Sequence, residues 1–403
     1  MDSHLLTWSP DVKTGEITFA KPDPQGIDDF TTVDTSKTTI VSTATPATGT
    51  VKVAGSVGVV EADSLTIHIE ISAGAYGDFK IDLDGNGLDD LLIADLGNTL
   101  PTDDLTGRVL IALQLEPGEF ELRTLADGIG RVADVRPQDL DLDGDMDLIV
   151  AAFGYLHEGG VYLMRNETVS DVFDFRLELV IERTGAVSII PVTDLQPGTG
   201  PGFVVAFAQE HEIVSLFLPR DSGGYEERVL FRAPHPAWGM SHLAAVDLDA
   251  DGDIDFLLTN GDTLDDGIAF KPYHGITWLE NRGEEGFHPH PIGRLYGAHA
   301  AVAGDLDGDG DLDIVASGFL PQIELPVPQN AMRLDSVVWF ERDGDAWIPW
   351  EIESGHPRHT GVTLFDLDAD GRLDIIAAVN RAWDITPTET GPSLEVWFNR
   401  GPR

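Results

Sequence analysis

The chain has no cysteine among its 403 residues, and only 25 Lys and Arg stand against 70 Asp and Glu. The first absence excludes disulfides, thiolate metal sites and a cysteine nucleophile. The shortage of basic side chains excludes nucleic acid as a partner, because phosphates must be neutralised by clustered Lys and Arg. It also sets the chain against anionic membrane surfaces. No apolar run approaches the roughly 18 residues of a membrane-spanning helix, so no membrane insertion is expected. GxSxG, HExxH and phosphate-cradling glycine loops are missing too, and no catalytic residue is assigned. Met1 opens onto polar residues without an apolar signal core, so an exported protein would have its signal trimmed from this sequence.

What is present is an apolar fraction of 42%, enough for a sizeable core, and a net charge of 25 − 70 = −45. Scattered acids would read as solvation in a saline environment. These acids are grouped, and grouped carboxylates repel one another unless cations screen them.

The groups repeat. An apolar segment, then Asp at alternate positions around a Gly, then a second apolar segment reads DLDGNGLDDLLIA from Asp82, DLDLDGDMDLIVA from Asp139 and DLDADGDIDFLLT from Asp247. It returns as DLDGDGDLDIVAS from Asp305 and DLDADGRLDIIAA from Asp366, with eroded copies beginning at Asp34 and Asp194. The seven starts are 48 to 61 residues apart, too long for a leucine-rich or helical-pair repeat and suited to four short strands with turns. Later segments echo one another as GVYLMRN, GITWLEN, SVVWFER and LEVWFNR, rich in β-branched and aromatic residues.

An all-β, seven-bladed propeller of four-stranded antiparallel blades is therefore expected. After an extension over 1–26, blades are expected at 27–77, 78–131, 132–186, 187–241, 242–298, 299–359 and 360–403. The last unit ends after LEVWFNR without a fourth strand, while Gly15–Ala20 is a spare one. An N-terminal strand completing the last blade would remove both exposed edges. Trp278, Trp339 and Trp397 in the third strands are expected to pack between blades.

The unit resembles the FG-GAP/VCBS repeat family, which includes the propeller of integrin α-subunits and many bacterial surface or secreted proteins. The likeness rests on the acidic loops and the period, since only fragments such as Phe153-Gly154 match the Phe-Gly/Gly-Ala-Pro signature. It implies an extracellular or cell-surface adhesion or recognition role and bound Ca²⁺.

The loop chemistry points to the same ion. Side chains at positions 1, 3 and 5 can turn toward one point, Gly at 6 reverses the backbone, position 7 offers its carbonyl, and the acid at 9 closes the shell. An all-oxygen donor set favours Ca²⁺ over Zn²⁺ or copper. About five sites are expected: Asp82, Asp84, Asn86 and Asp90; Asp139, Asp141, Asp143, Asp145 and Asp147; Asp247, Asp249, Asp251, Asp253 and Asp255; Asp305, Asp307, Asp309, Asp311 and Asp313; and Asp366, Asp368, Asp370, Arg372 and Asp374. Asn86 weakens the first, Arg372 lends only a carbonyl, and the loops at Asp34 and Asp194 are expected to be empty. Simple Asx-turns would also place Asp between strands, but five copies of three or four carboxylates each exceed what turns require.

Long insertions at Asp95–Gly107, Asn260–Gly275, Ser317–Asp335 and Asn380–Ser393 are expected on the face opposite the acidic loops. His242, His299 and His359 precede motif Asp residues by five to seven positions and are placed at the channel mouth, with Trp238 in the same connections and Tyr273 and Trp383 in the long loops. The reading is a monomer, or part of a larger surface assembly, that binds a glycan or protein ligand there. The alternative is a sugar- or polysaccharide-modifying enzyme whose site is lined by these histidines.

Overall fold

Each apolar run that follows an acidic loop is a largely buried strand in the computed structural model. The structure describes 81–401 apart from 99–100, 117–118, 169–172, 194, 196–199, 264–269, 322–332 and 381–393. It also describes the backbones of strands Leu5–Leu6, Val12–Ile17, Ser56–Ala62 and Leu65–Glu70. Asp147–Ala152, Gly202–Phe207, Asp255–Asn260 and Asp313–Gly318 are buried at every residue. A strand with sheet neighbours on both sides and other sheets over both faces needs an unbroken apolar sequence, which DLIVAA, GFVVAF and DIVASG provide. Fourth strands such as Phe175–Ile181 are mostly exposed and mix charged with apolar residues.

Four sheets follow one plan, each a four-stranded antiparallel meander. Blade II is Val132–Gln138, Asp147–Ala152, Gly160–Asn166 and Phe175–Ile181; blade III is Ala186–Val192, Gly202–Phe207, Ile213–Pro219 and Tyr225–Arg232. Blade IV is Met240–Val246, Asp255–Asn260, Gly275–Asn281 and Phe287–Arg294; blade V is Ala298–Gly304, Asp313–Gly318, Asp335–Asp343 and Ala346–Ser354. First strands of successive blades pack on one another around the ring. The apolar cores lie between blades rather than inside them. One joins II to III through Ile149, Leu163, Phe203 and Phe217, the next III to IV through Val204, Leu216, Leu243 and Phe256. Another joins V to VI through Val315, Trp339, Ile375 and Trp397. Stability in such a ring is a sum of nearest-neighbour interfaces.

Blades I and VI depart from the plan. Blade VI has His359–Phe365, Asp374–Val379 and Leu394–Asn399, and its fourth place is taken by Val12–Ile17. The closing strand exists, but it lies at 12–17 rather than 15–20, and it runs parallel, Val12 opposite Leu394 and Ile17 opposite Asn399. Just before it, Leu5 and Leu6 pair with Glu121 and Phe120 on the outer strand Glu119–Ile129 of blade I. The amino-terminal segment thus straddles the seam between the first and last blades.

The propeller has six blades, not seven. Of the unit expected at 27–77, only Ser56–Ala62 and Leu65–Glu70 fall among the described residues, and Asp34 lies outside them. These two strands form a hairpin that joins blade I, where Ile67 and His68 pair with Asp95 and Ala94 of Leu91–Asp95. Blade I continues through Gly107–Glu116 to Glu119–Ile129. A lone hairpin is marginal in water and gains stability only by adding to a larger sheet. Ser56–Ala62 then packs against the first two strands of blade VI and closes the ring.

Removing residues 1–17 should free the Leu394–Asn399 edge and both sides of the seam. We expect a lower melting temperature and concentration-dependent association in analytical ultracentrifugation, because an unpaired edge is a template for other chains.

Candidate metal centres and the opposite face

In every acidic loop the carboxylate at position 1 organises the turn. Its Oδ1 accepts the backbone N–H of position 5, at 2.9 Å for Asn86 on Asp82, 3.2 Å for Asp143 on Asp139 and 3.0 Å for Asp251 on Asp247. The same bond is 3.1 Å for Asp309 on Asp305 and 2.9 Å for Asp370 on Asp366. Its Oδ2 accepts the N–H of position 6, from 2.8 Å at Gly87 to 3.1 Å at Gly144 and Gly310. Position 5 in turn accepts the N–H of position 7, as Asp309 does from Asp311 at 3.1 Å. The turn requires positive φ at positions 4 and 6. Gly310 has φ 100°, and Leu142, Ala250 and Ala369 take position 4 at 63°, 59° and 59° despite their side chains.

Each carboxylate oxygen bonded in this way keeps a second lone pair, and those lone pairs converge. Oxygens of Asp139, Asp141 and Asp143 lie within 4.8 Å of one another, as do those of Asp247, Asp249 and Asp251 and of Asp305, Asp307 and Asp309. In blade I the converging set is Asp82, Asp84 and Asp90. Asn86 instead turns its amide nitrogen to Gln114 O at 2.9 Å and to Asp84 at 3.2 Å. The donor chemistry and spacing fit a hard divalent cation such as Ca²⁺.

Position 9 does something the sequence pattern did not suggest. Asp90, Asp147, Asp255, Asp313 and Asp374 are all buried. One oxygen accepts the N–H at the end of the third strand: Gln114 at 2.9 Å, Asn166 at 2.9 Å, Asn281 at 2.6 Å, Arg342 at 2.9 Å and Asn399 at 2.8 Å. In four of the five loops the other oxygen accepts the N–H of position 2: Leu83 at 2.8 Å, Leu248 at 3.2 Å, Leu306 at 3.1 Å and Leu367 at 2.9 Å. This residue staples the loop to the third strand. The third-strand ends also reach neighbouring blades, where Arg342 donates to Leu248 O at 2.5 Å and Asn399 to Leu306 O at 2.6 Å. The recurring final Asn of GVYLMRN, GITWLEN and LEVWFN was the available signal.

Burial pushes the carboxyls of Asp90 and Asp374 up, and those of Asp255 and Asp313 up to about 6. Burial, followed by the charges of neighbouring aspartates, raises Asp145, Asp249 and Asp311 as well. The blade VI loop differs, because Arg372 does more than lend a carbonyl. Its guanidinium pairs with Asp370, and Arg400 pairs with Asp368 at 2.5 Å. Two internal cations therefore offset part of the charge that a bound ion would neutralise in this loop. Asp194 and Trp383 lie outside the described residues.

On the opposite face His242 and His299 stay close to each other, whereas His359 turns to other partners. Every complete first strand bulges after its first residue, and the three histidines fall at different places around that bulge. His359 is the residue before the bulge, His299 is the bulged residue, and His242 is the residue after it. His299 Nδ1 contacts Thr360 O at 2.8 Å, and burial, with His242 nearby, lowers its pKa to about 4. His359 is fully buried and faces Glu395 instead.

The aromatic residues do gather. Trp238 and Tyr273 stack at 4.8 Å and 6°, held by Tyr273 Oη donating to Ala237 O at 2.8 Å and Asn260 Nδ2 to Tyr273 O at 2.9 Å. His235 lies 6.0 Å from Tyr273, Phe270 meets Tyr296 edge-on at 5.4 Å, and Phe319 meets His299 at 5.7 Å. Trp238 precedes the first strand of blade IV and Tyr273 its third, which places both at the face away from the acidic loops.

Residues 259–316 match the FG-GAP-like repeat family, a stretch that runs from the second strand of blade IV to that of blade V and contains the Asp305 loop. No curated protein matches the chain. Among the described residues no helix is long and apolar enough to cross a membrane.

Two outcomes follow. A carboxyl raised toward 6 costs the cation-free fold stability as pH rises through its unfolded value of roughly 4 up to 6, because the fold then prefers the proton. In chelator the melting temperature should therefore be higher near pH 5 than near pH 7.5, and saturating Ca²⁺ should abolish or invert that difference. Asp313→Asn replaces one of two acceptors by a donor, leaving the N–H of Leu306 or Arg342 facing an amide. Chemical denaturation should show a loss of about 1–3 kcal/mol.

Proposed function

We propose that this FG-GAP repeat propeller is a calcium-stabilised interaction module that docks a glycan or protein ligand on the face opposite its acidic loops, outside the cell or at its surface. One observation supports this reading above the rest. The partly exposed, stacked Trp238–Tyr273 pair with His235 beside it, and the Phe270–Tyr296 pair, put two aromatic clusters on this face. Such rings offer large contact area with few rotatable bonds and a polar edge for hydrogen bonding. The clusters sit on strand ends fixed by buried blades, the arrangement in which long loops commonly carry recognition.

Charge narrows the ligand. At −45 the chain repels anionic partners, so a neutral glycan or a basic protein surface is the suitable class. FG-GAP repeats are typical of extracellular proteins, where millimolar Ca²⁺ suits sensors and scaffolds of modest affinity. The enzyme alternative needs His242, His299 and His359 to meet; His242 and His299 are neighbours, but His359 faces Glu395 and Glu353 instead.

The test is a glycan array together with a pull-down, each run with Ca²⁺ using wild type, Trp238→Ala and Tyr273→Ala. Loss of one aromatic anchor should weaken binding by about tenfold or more. Binding that both variants retain in full would place the ligand elsewhere.

A further inference from the structure

One cluster belongs to neither face. His359, at the start of blade VI, points its Nε2 at Glu395 Oε2, 3.0 Å away, and at Glu353 Oε2, 3.5 Å away. Glu395 is the second residue of the third strand of blade VI, and Glu353 is next to last in the outer strand of blade V. One ligand atom from each residue lies within 4.8 Å of the others. His359 and Glu395 are buried, and only 11% of the Glu353 side chain is exposed.

The repeat supplies its own control. The position of His359, opposite the last residue of the second strand, holds Val132, Ala186, Met240 and Ala298 in the other blades. The position of Glu395 holds Leu110, Tyr162, Ser215, Thr277 and Val338. That of Glu353 holds Ala126, Ile181, Phe231 and Gly293. None of the alternatives is charged. Three departures from an uncharged pattern, drawn from three strands of two blades, meet at one nitrogen. Random drift of the repeats would scatter them.

We propose that His359, Glu395 and Glu353 form a zinc-class transition-metal site that cross-links blades V and VI, separate from the calcium loops. A ring nitrogen carries one hydrogen or one lone pair, yet two carboxylates are aimed at it. A divalent ion at their meeting point accepts all three and neutralises two buried glutamates. Bonds of about 2.0–2.1 Å in a tetrahedral shell set ligand atoms roughly 3.3 Å apart, which the two distances above bracket. One nitrogen with two oxygens suits Zn²⁺, or Co²⁺ as its spectroscopic substitute, better than Ca²⁺. Three protein ligands leave the fourth position of a tetrahedral shell to water, and the ion ties the two blades together through the other three.

The full chain, stripped with chelator and resupplied with saturating Ca²⁺, is titrated with Co²⁺ alone. The expected result is one equivalent bound with visible d–d absorption, a raised melting temperature, and loss of both in His359→Gln, Glu395→Gln and Glu353→Gln. Glu353→Gln, at the partly exposed edge, serves if the two buried variants do not fold. Folded wild type that takes up no Co²⁺ beyond what Ca²⁺ displaces would overturn the proposal, and so would absorption that survives Glu353→Gln. In either case the cluster is an imidazole held between two glutamates and no more.

Discussion

Mutual repulsion of carboxylates held a few ångströms apart is the constraint on which the rest of this structure depends. Positions 1, 3 and 5 of the loops at Asp139, Asp247 and Asp305 converge where position 1 gathers backbone N–H groups, so the turn itself creates the charge problem. Hydrogen bonds from the backbone offset part of it, while burial first and then neighbouring aspartates raise the carboxyls of Asp145, Asp249 and Asp311. Blade VI answers with two guanidiniums. Elsewhere a divalent ion is the economical answer, and it carries mechanical consequences. The buried acid at position 9 links each loop to the third strand, so an ion settling the loop also settles the hairpin and the strand beyond it.

That coupling matters in a ring whose larger cores lie between neighbours. Each interface stands on two blades, and hydrogen bonds from Arg342 and Asn399 pass from one acidic loop to the next. The weakest point is the seam between blades I and VI. There the amino-terminal strands and the Ser56–Glu70 hairpin supply pairing instead of a full blade.

Much of this was legible in the sequence, and the failures have physical causes. Spacing of Asp and Gly located five loops, and the apolar runs after them located the second strands, because strands buried on both faces tolerate little else. The count of blades failed at the unit of Asp34. A repeat period reveals duplication but not whether a worn copy still buries enough surface to stand as its own sheet. His359 parts from His242 and His299 for a subtler reason. Offsets of five, six and seven residues from the motif Asp looked equivalent, but a bulge in each first strand makes one residue decide which way a side chain points. Asp at position 9 was assigned to the ion alone, and the structure adds a second duty, because its oxygens also accept backbone N–H groups of other segments.

On the proposed reading the two faces divide the labour, with the acidic loops fixing the scaffold and the far face presenting aromatic side chains. The most direct measurement of this account is the melting temperature as a function of free Ca²⁺, in wild type and in a variant carrying Asp139→Asn, Asp247→Asn and Asp305→Asn. Ions that bind only the folded chain must raise its stability with the logarithm of their concentration. The account predicts a steep rise in wild type that is largely lost in the variant. A melting temperature indifferent to free Ca²⁺ in wild type would contradict it.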